Sequence, residues 1–418
     1  AWNCTVAPIW KLSGAFLCIC ALALISRPAR AAQVVDDPRV QRAVETARAR
    51  YLAEQSFDRV DIAVLLEARD GRWQRGSVNG ETLSYPASCV KLAVLVGVVH
   101  WCAQQGRAPD CLDADVRPMI EISDDEATGR VIDVITGAPN IDPPDASGYE
   151  GWLELDQQHL LGSQRVLTKT YPSNSGDMPS GFEKRAWQSL GRNAMAPDLA
   201  ARLMLGIVSG EIEPQAREYM RGLLRRDRFT PYSAFGPGLP PGSIFESKIG
   251  NAYDVLAEIA HIELPNGRRL IIAAFTNGWD QREPRPYDIA RLGPLAAYLI
   301  RELGLTRGLP WQRELAARRD PSGSWRWRTG VRNDGRYELR VRYPQEEGAT
   351  ARAVYEIEHA EGKARVEIDQ RYWSDRWIKL GDFEPVRGRF DVTLTAAAPG
   401  VLAAGELSVS RWPRSLSD

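Results

Sequence analysis

The sequence predicts an α/β (α+β) domain, an antiparallel sheet flanked by helices, followed by an all-β sandwich. Three observations carry this. From about Asp37 to Arg301, strand-like and helix-like stretches alternate, with strands at both ends of a helical middle. Residues 306–324 are rich in Gly, Pro and Arg and read as a linker. Beyond them, "GRYELRVRYP", "ARAVYEIEHA", "KARVEIDQ", "WIKLGDFEPV" and "RFDVTLTAAA" alternate polar and apolar residues between turn signals, the pattern of a sandwich. A chain of 418 residues has room for two or three such units.

Taken in order, the first segment is not part of the fold. Lys11, the apolar "GAFLCICALALIS" and the small residues "ARA" before Ala32 have the layout of a secretory signal over residues 1–32, with an uncleaved anchor as the alternative. The domain proper is expected at 33–305. "VDIAVLLEA" and "GRWQRGSVNG" read as a hairpin. "CVKLAVLVGVVHWCAQQG" is apolar nearly all round and predicts a central helix. "MIEISDDEATGRVIDVITG" passes from a turn or short helix into another helix, for which Asp124 or Asp125 could serve as cap. "DLAARLMLGIVSG" and "AREYMRGLLRR" read as amphipathic helices. "FESKIGNAYDVLAEIAHIEL", "RRLIIAAFTNG" and "PLAAYLIREL" read as strand, strand and helix. The sandwich is assigned to 325–418.

Composition narrows function. A formal net charge of −1 gives no global field for nucleic acid or an anionic membrane. With Cys4, Cys18 and Cys20 in the leader, Cys89, Cys102 and Cys111 remain. Cys102 and Cys111 flank a short loop and could pair in an oxidising compartment, which leaves Cys89 as a small buried residue. His100, His159, His261 and His359 are scattered outside any ligand spacing, so no metal and no cofactor is expected. No G-x-S-x-G elbow occurs, and "GPGLPPG" lacks the lysine of a phosphate-binding loop.

The chemistry lies in three short stretches. "YPASCVKLAVL" sets Ser88 and Lys91 three apart, hence on one helical face. A serine hydroxyl needs a base beside it to attack a carbonyl. A lysine supplies one when burial disfavours its charged form. "ISDDEATG" adds Ser123, Asp124 and Asp125 at the head of a helix, and "ESKIGNAYDV" adds Lys248, Ile249 and Gly250 on a strand.

In this order the three stretches resemble the S-x-x-K, S-D-N and K-T-G signatures of the penicillin-recognising serine hydrolases. Residues 37–303 are most similar to class A β-lactamases and their relatives, a β-lactamase/DD-peptidase-like fold. The resemblance implies Ser88 as acylated nucleophile and Lys91 as its base. It makes Ser123 a proton shuttle to the leaving group and Lys248 its electrostatic partner. Asp125 would touch substrate, and the N–H groups of Ser88 and Asn251, beside Gly250, would form the oxyanion hole. The implied substrates are small amides or esters, β-lactams among them, or cell-wall peptides. The implied setting is a secreted or periplasmic monomer without a membrane span once the leader is cleaved.

Three departures qualify that resemblance. Asp125 replaces the family's asparagine: an ionised carboxylate accepts hydrogen bonds but cannot donate one to a substrate carbonyl. It would also favour the charged form of Lys91, unless it is only a helix cap. Ile249 replaces the hydroxyl residue that helps hold a substrate carboxylate. The stretch "LLGSQRVLTKTYPSNSG" has no acidic residue before Asp177 to serve as deacylating base; Glu150 in "EGWLE" is spaced a little like that glutamate but reads as part of the preceding helix. The expectation is a secreted, β-lactamase-related serine hydrolase that acts through a Ser88 acyl-enzyme on β-lactams or related amides, with slow β-lactam release; a cell-wall peptidase or esterase without efficient β-lactam turnover, or a non-catalytic glycan-binding relative, is the alternative. The last ninety residues resemble the golvesin-type or polysaccharide-lyase-associated sandwich, which implies glycan or cell-wall attachment. Trp325, Trp327, Trp373, Trp377 and Trp412 are candidate sugar platforms, unless they fill the sandwich core.

Overall fold

The computed structural model describes residues 32–136, 193–278, 289–307 and 312–411, apart from positions 56, 229, 231, 321–322, 332–334, 373 and 375–376. The leader assigned to residues 1–32 lies, save for its last residue, outside the described residues. So do Glu150, Asp177, His159, Trp373 and Trp412.

The first domain is a six-stranded sheet, β1 (Val34–Asp36), β2 (Arg59–Glu67), β3 (Trp73–Val78), β4 (Ile244–Ala252), β5 (Val255–Glu263) and β6 (Arg269–Asn277), in the order β1-β3-β2-β6-β5-β4. All pairings are antiparallel except the short β1–β3 contact. Helix α1 (Pro38–Glu54) starts where Asp37 accepts hydrogen bonds from the N–H groups of Arg39 and Val40, with proline at its first position. It packs on one face of the sheet with α7 (Gly293–Glu302). The other face carries α2 (Lys91–Gln104), α3 (Asp113–Glu121), α4 (Asp125–Thr136), α5 (Pro197–Ser209) and α6 (Arg217–Leu224). Because both faces are covered, β2, β5 and β6 are buried along nearly their whole length.

Helix α2 is the centre of that second layer. Ten of its residues from Lys91 to Cys102 are buried, so its all-round apolar sequence has neighbours on every side. With its preceding turn it is long and apolar enough to cross a membrane, yet most of that stretch is buried inside the domain. A disulfide from Cys102 to Cys111 ties its end to the loop before α3, and Cys89 is a free, buried thiol.

One expected strand is two. The stretch from Phe245 to Leu264 folds back at Tyr253 and Asp254 into the β4–β5 hairpin. Tyr253 takes the left-handed conformation there (φ 56°), so the usual glycine or asparagine turn signal is absent.

The second domain is the sandwich. One sheet runs β13 (Ile378–Phe383), β10 (Tyr337–Arg342), β15 (Glu406–Arg411), β7 (Gln312–Ala316). The other runs β12 (Gly362–Ile368), β11 (Ala353–His359), β14 (Arg389–Ala396), β9 (Trp325–Gly330), β8 (Arg318–Arg319). Strands β7 and β8 thus occupy part of the stretch read as linker, 306–324; Leu315 packs against the sandwich core and β7 pairs with β15. Trp327 is fully buried, its indole N–H donating to the Gly405 carbonyl at 3.2 Å, so it is core and not a sugar platform. Trp325 and Trp377 are half-buried under the guanidinium groups of Arg319 and Arg342. Arg228 of the first domain reaches Glu338 of β10 at 3.8 Å, and Glu338 also holds the Arg340 guanidinium at 2.7 Å.

Candidate active site

The site forms where the turn before α2, the head of α4 and strand β4 meet. Residues 87–90 make one turn of tight helix, and Ala87 is held at φ 45°, an uncommon conformation for a residue with a Cβ. That turn presents Ser88, half-buried, at the entrance of α2. One turn on, Lys91 is fully buried.

Lys91 Nζ donates to the Ser123 carbonyl at 2.7 Å and lies 3.4 Å from Ser123 Oγ. Lys248, also buried, approaches the same hydroxyl from β4, Nζ to Oγ 2.9 Å, and donates to the Ile249 carbonyl at 2.8 Å. Ser123 itself is in the left-handed conformation (φ 64°), which is how the chain turns from α3 into α4 at this point. Two lysines from distant parts of the sequence thus converge on one serine hydroxyl.

Burial lowers the proton affinity of both amines, and for Lys248 the neighbouring Lys91 charge adds to the effect. Asp125 opposes it at Lys91, its Oδ1 lying 2.5 Å from Nζ. The choice between cap and charge partner for this residue is thereby resolved. Asp124 is the cap, its Oδ1 accepting from the Ala127 N–H at 2.7 Å, while Asp125 pairs with Lys91.

Gly250 explains how β4 comes so close. A Cβ there would stand 2.4 Å from the Pro86 carbonyl oxygen, 2.9 Å from the Cys89 nitrogen and 3.0 Å from the Ser88 nitrogen. Only glycine lets the strand lie against the Ser88 turn. Asn251 follows, exposed, at the strand's end. Ile249 alternates to the opposite face and sits in the core beneath α1 and α7, so the departure at this position fills core behind the site. Cys89 donates to the Lys248 carbonyl at 3.2 Å, and burial pushes its thiol well up, so it is inert packing beside the lysine.

Two features had no clear sequence signal. Glu258 on β5 is wholly buried behind Lys248's strand, accepting from Ser247 Oγ at 2.7 Å and from the N–H groups of Ala234 and Phe235 at 2.8 and 2.6 Å. Tyr85, three residues before Ser88, faces Tyr253 from the β4–β5 turn with ring centres 6.0 Å apart. Two of the described histidines are engaged elsewhere: His261 bonds Glu246 at 3.0 Å and His100 bonds Glu213 at 2.6 Å.

Residues 114–298 match the family model "Beta-lactamase enzyme family", and residues 313–405 match "Golvesin C-terminal domain". A protein named golvesin from Dictyostelium discoideum is 29% identical over 409 residues, spanning 86% of this chain and 70% of that protein. A mutant of PBP-A solved as an acyl-enzyme complex with penicillin G is 19% identical, with TM-score 0.44, over 66% of this chain and 99% of that one. A β-lactamase from Sphaerobacter thermophilus is 18% identical, with TM-score 0.45, over 63% of this chain and 97% of that one. The chain therefore carries a β-lactamase-family domain followed by a Golvesin C-terminal domain.

Proposed function

We propose that this protein is a serine hydrolase acting through an acyl-enzyme on Ser88. The observation that carries the reading is the convergence of two buried lysines on the Ser123 hydroxyl, one of them, Lys91, a single helical turn after Ser88. Burying two amines costs several kcal/mol unless one sheds its proton, and structure alone gains nothing from the pair. A serine nucleophile gains a base.

In the proposed reaction Lys91, in its neutral form, takes the Ser88 hydroxyl proton as Oγ bonds to the substrate carbonyl carbon. The N–H groups of Ser88 and Asn251 hold the oxyanion, and the nearness of Gly250 to the Ser88 nitrogen is consistent with that pairing. The C–N or C–O bond to the leaving group then breaks. Ser123 delivers a proton to the departing atom and is replenished from the lysines it touches. Water attacks the acyl ester, releasing the acid and restoring Ser88. Lys248 holds Ser123 in place and offers positive charge to an anionic substrate when protonated.

The substrate is a small amide or ester, or a cell-wall peptide. The protein would act outside the cytoplasm as a monomer, and the Cys102–Cys111 bridge suits an oxidising compartment. The sandwich would hold the enzyme to a glycan or cell wall, with half-buried Trp325 and Trp377 as the remaining described aromatic candidates. A fluorophosphonate probe tests the enzyme assignment: labelling of wild type that disappears in Ser88→Ala supports it, and an unlabelled wild type refutes it.

A further inference from the structure

We propose that Asp125 selects substrates bearing a cationic amine next to the scissile carbonyl, and disfavours those in which that amine is acylated. The inference rests on the reading of Ser88 as nucleophile and names the substrate class for that site.

Asp125 is free to act on substrate because its helix does not need it. The N–H of Ala127 is already satisfied by Asp124, so the Asp125 carboxylate is not spent on the cap of α4. It turns instead toward Lys91, and 58% of the side chain remains exposed. A carboxylate offers about four acceptor positions. Lys91 occupies one of them through Oδ1, so the group can take further donors from the open side of the site.

Hydrogen-bond polarity then decides what fits. An acylated amine presents a carbonyl oxygen, an acceptor, and an ionised carboxylate facing it leaves two acceptors opposed. An ammonium presents three donors and a charge, and charge-assisted hydrogen bonds to a carboxylate are roughly twice as strong as neutral ones. A protonated Lys91 offsets part of the Asp125 charge, but in the neutral form that acylation requires it leaves the carboxylate its full charge toward the exposed side.

A second feature at the mouth points the same way. Tyr253 is 60% exposed at a strained, left-handed turn position, and its ring faces that of Tyr85, which leads into the Ser88 turn. The tight β4–β5 turn sets that backbone conformation and leaves the Tyr253 ring exposed beside Tyr85. Tyrosine faces attract cations. In the proposed site the Asp125 carboxylate at the head of α4 holds the cationic group, and the tyrosine pair, which leads into the Ser88 turn on one side and ends β4 on the other, offers it an aromatic face.

The test uses the full chain and two p-nitrophenyl esters, of alanine and of N-acetylalanine, each rate divided by that ester's uncatalysed hydrolysis. The normalised kcat/KM of wild type should favour the free amine by about tenfold or more, the size of one charge-assisted hydrogen bond. Asp125→Asn should bring the ratio near or below one. Because the substitution also changes Lys91, only the ratio is read, since a stronger or weaker base affects both esters alike. A wild type that prefers N-acetylalanine, or a ratio unchanged in Asp125→Asn, overturns the inference while leaving the nucleophile intact. Failure of both esters to acylate Ser88 instead overturns the nucleophile assignment, and this inference with it.

Discussion

Substituting Gly250 by alanine isolates the contact on which the site depends. The added Cβ would stand 2.4 Å from the Pro86 carbonyl oxygen, about 1 Å inside the 3.4 Å at which ordinary contact begins. The nitrogens of Cys89 and Ser88 crowd the same point at 2.9 and 3.0 Å. All three are backbone atoms, so no side chain can swing aside; either β4 or the Ser88 turn must retreat. A displacement of about 1 Å in a reacting group costs roughly 100-fold in rate. Overpacking of this kind costs about 1–3 kcal/mol, which for a domain of this size lowers Tm by roughly 2–10 °C. The assay is the second-order rate of Ser88 labelling by a fluorophosphonate, with Tm measured on the same sample. Gly250→Ala should label about 100-fold more slowly while remaining folded. Labelling at the wild-type rate would show that the close approach of β4 does not position the nucleophile.

Three further outcomes are expected. Acylation should rise with pH as Lys91 loses its proton; because Asp125 holds that proton on, Asp125→Asn should move the rise to lower pH in a labelling-rate profile. Removing the disulfide with Cys102→Ser and Cys111→Ser frees a loop whose ends are 9 residues apart. This should cost about 2–3 kcal/mol in denaturant unfolding, and reductant should then have no added effect. Burial raises the Glu258 carboxyl to about 7 against the opposing hydrogen bonds from Ser247, Phe235 and Ala234. The folded state therefore holds this proton more tightly than the unfolded chain. That stability is complete below the ordinary carboxylate range and is lost as pH rises through about 7. Glu258→Gln should flatten the fall of Tm between pH 5 and 8, and an unchanged slope would refute the assignment.

Two of the residues proposed to react stood out in the sequence because each is a residue type out of place. A lysine inside an apolar helix, and another on a core strand, have no reason to be there for folding alone, and the structure brings Lys91 and Lys248 to the same hydroxyl. The Cys102–Cys111 bridge was legible from a short loop between two cysteines. What sequence could not separate were choices set by geometry. Asp124 and Asp125 are chemically the same at the head of α4, and only the direction of each side chain assigns one to the cap and the other to Lys91. Ile249 looked like a change in the site itself, but strand alternation turns it into the core behind. The β4–β5 hairpin was read as one strand because its turn uses Tyr253 and Asp254 without glycine. Strand β7 was taken for linker because a five-residue edge strand carries little periodicity and owes its place to pairing with β15.

The most direct test of the account is a rapid-quench reaction with an activated p-nitrophenyl ester, reading released p-nitrophenol and the intact mass of the protein together. The account predicts a burst of one p-nitrophenol per chain, an acyl group that peptide mapping locates on Ser88, and loss of both in Ser88→Ala. Steady release without a burst or adduct, or an adduct that persists in Ser88→Ala, would contradict it.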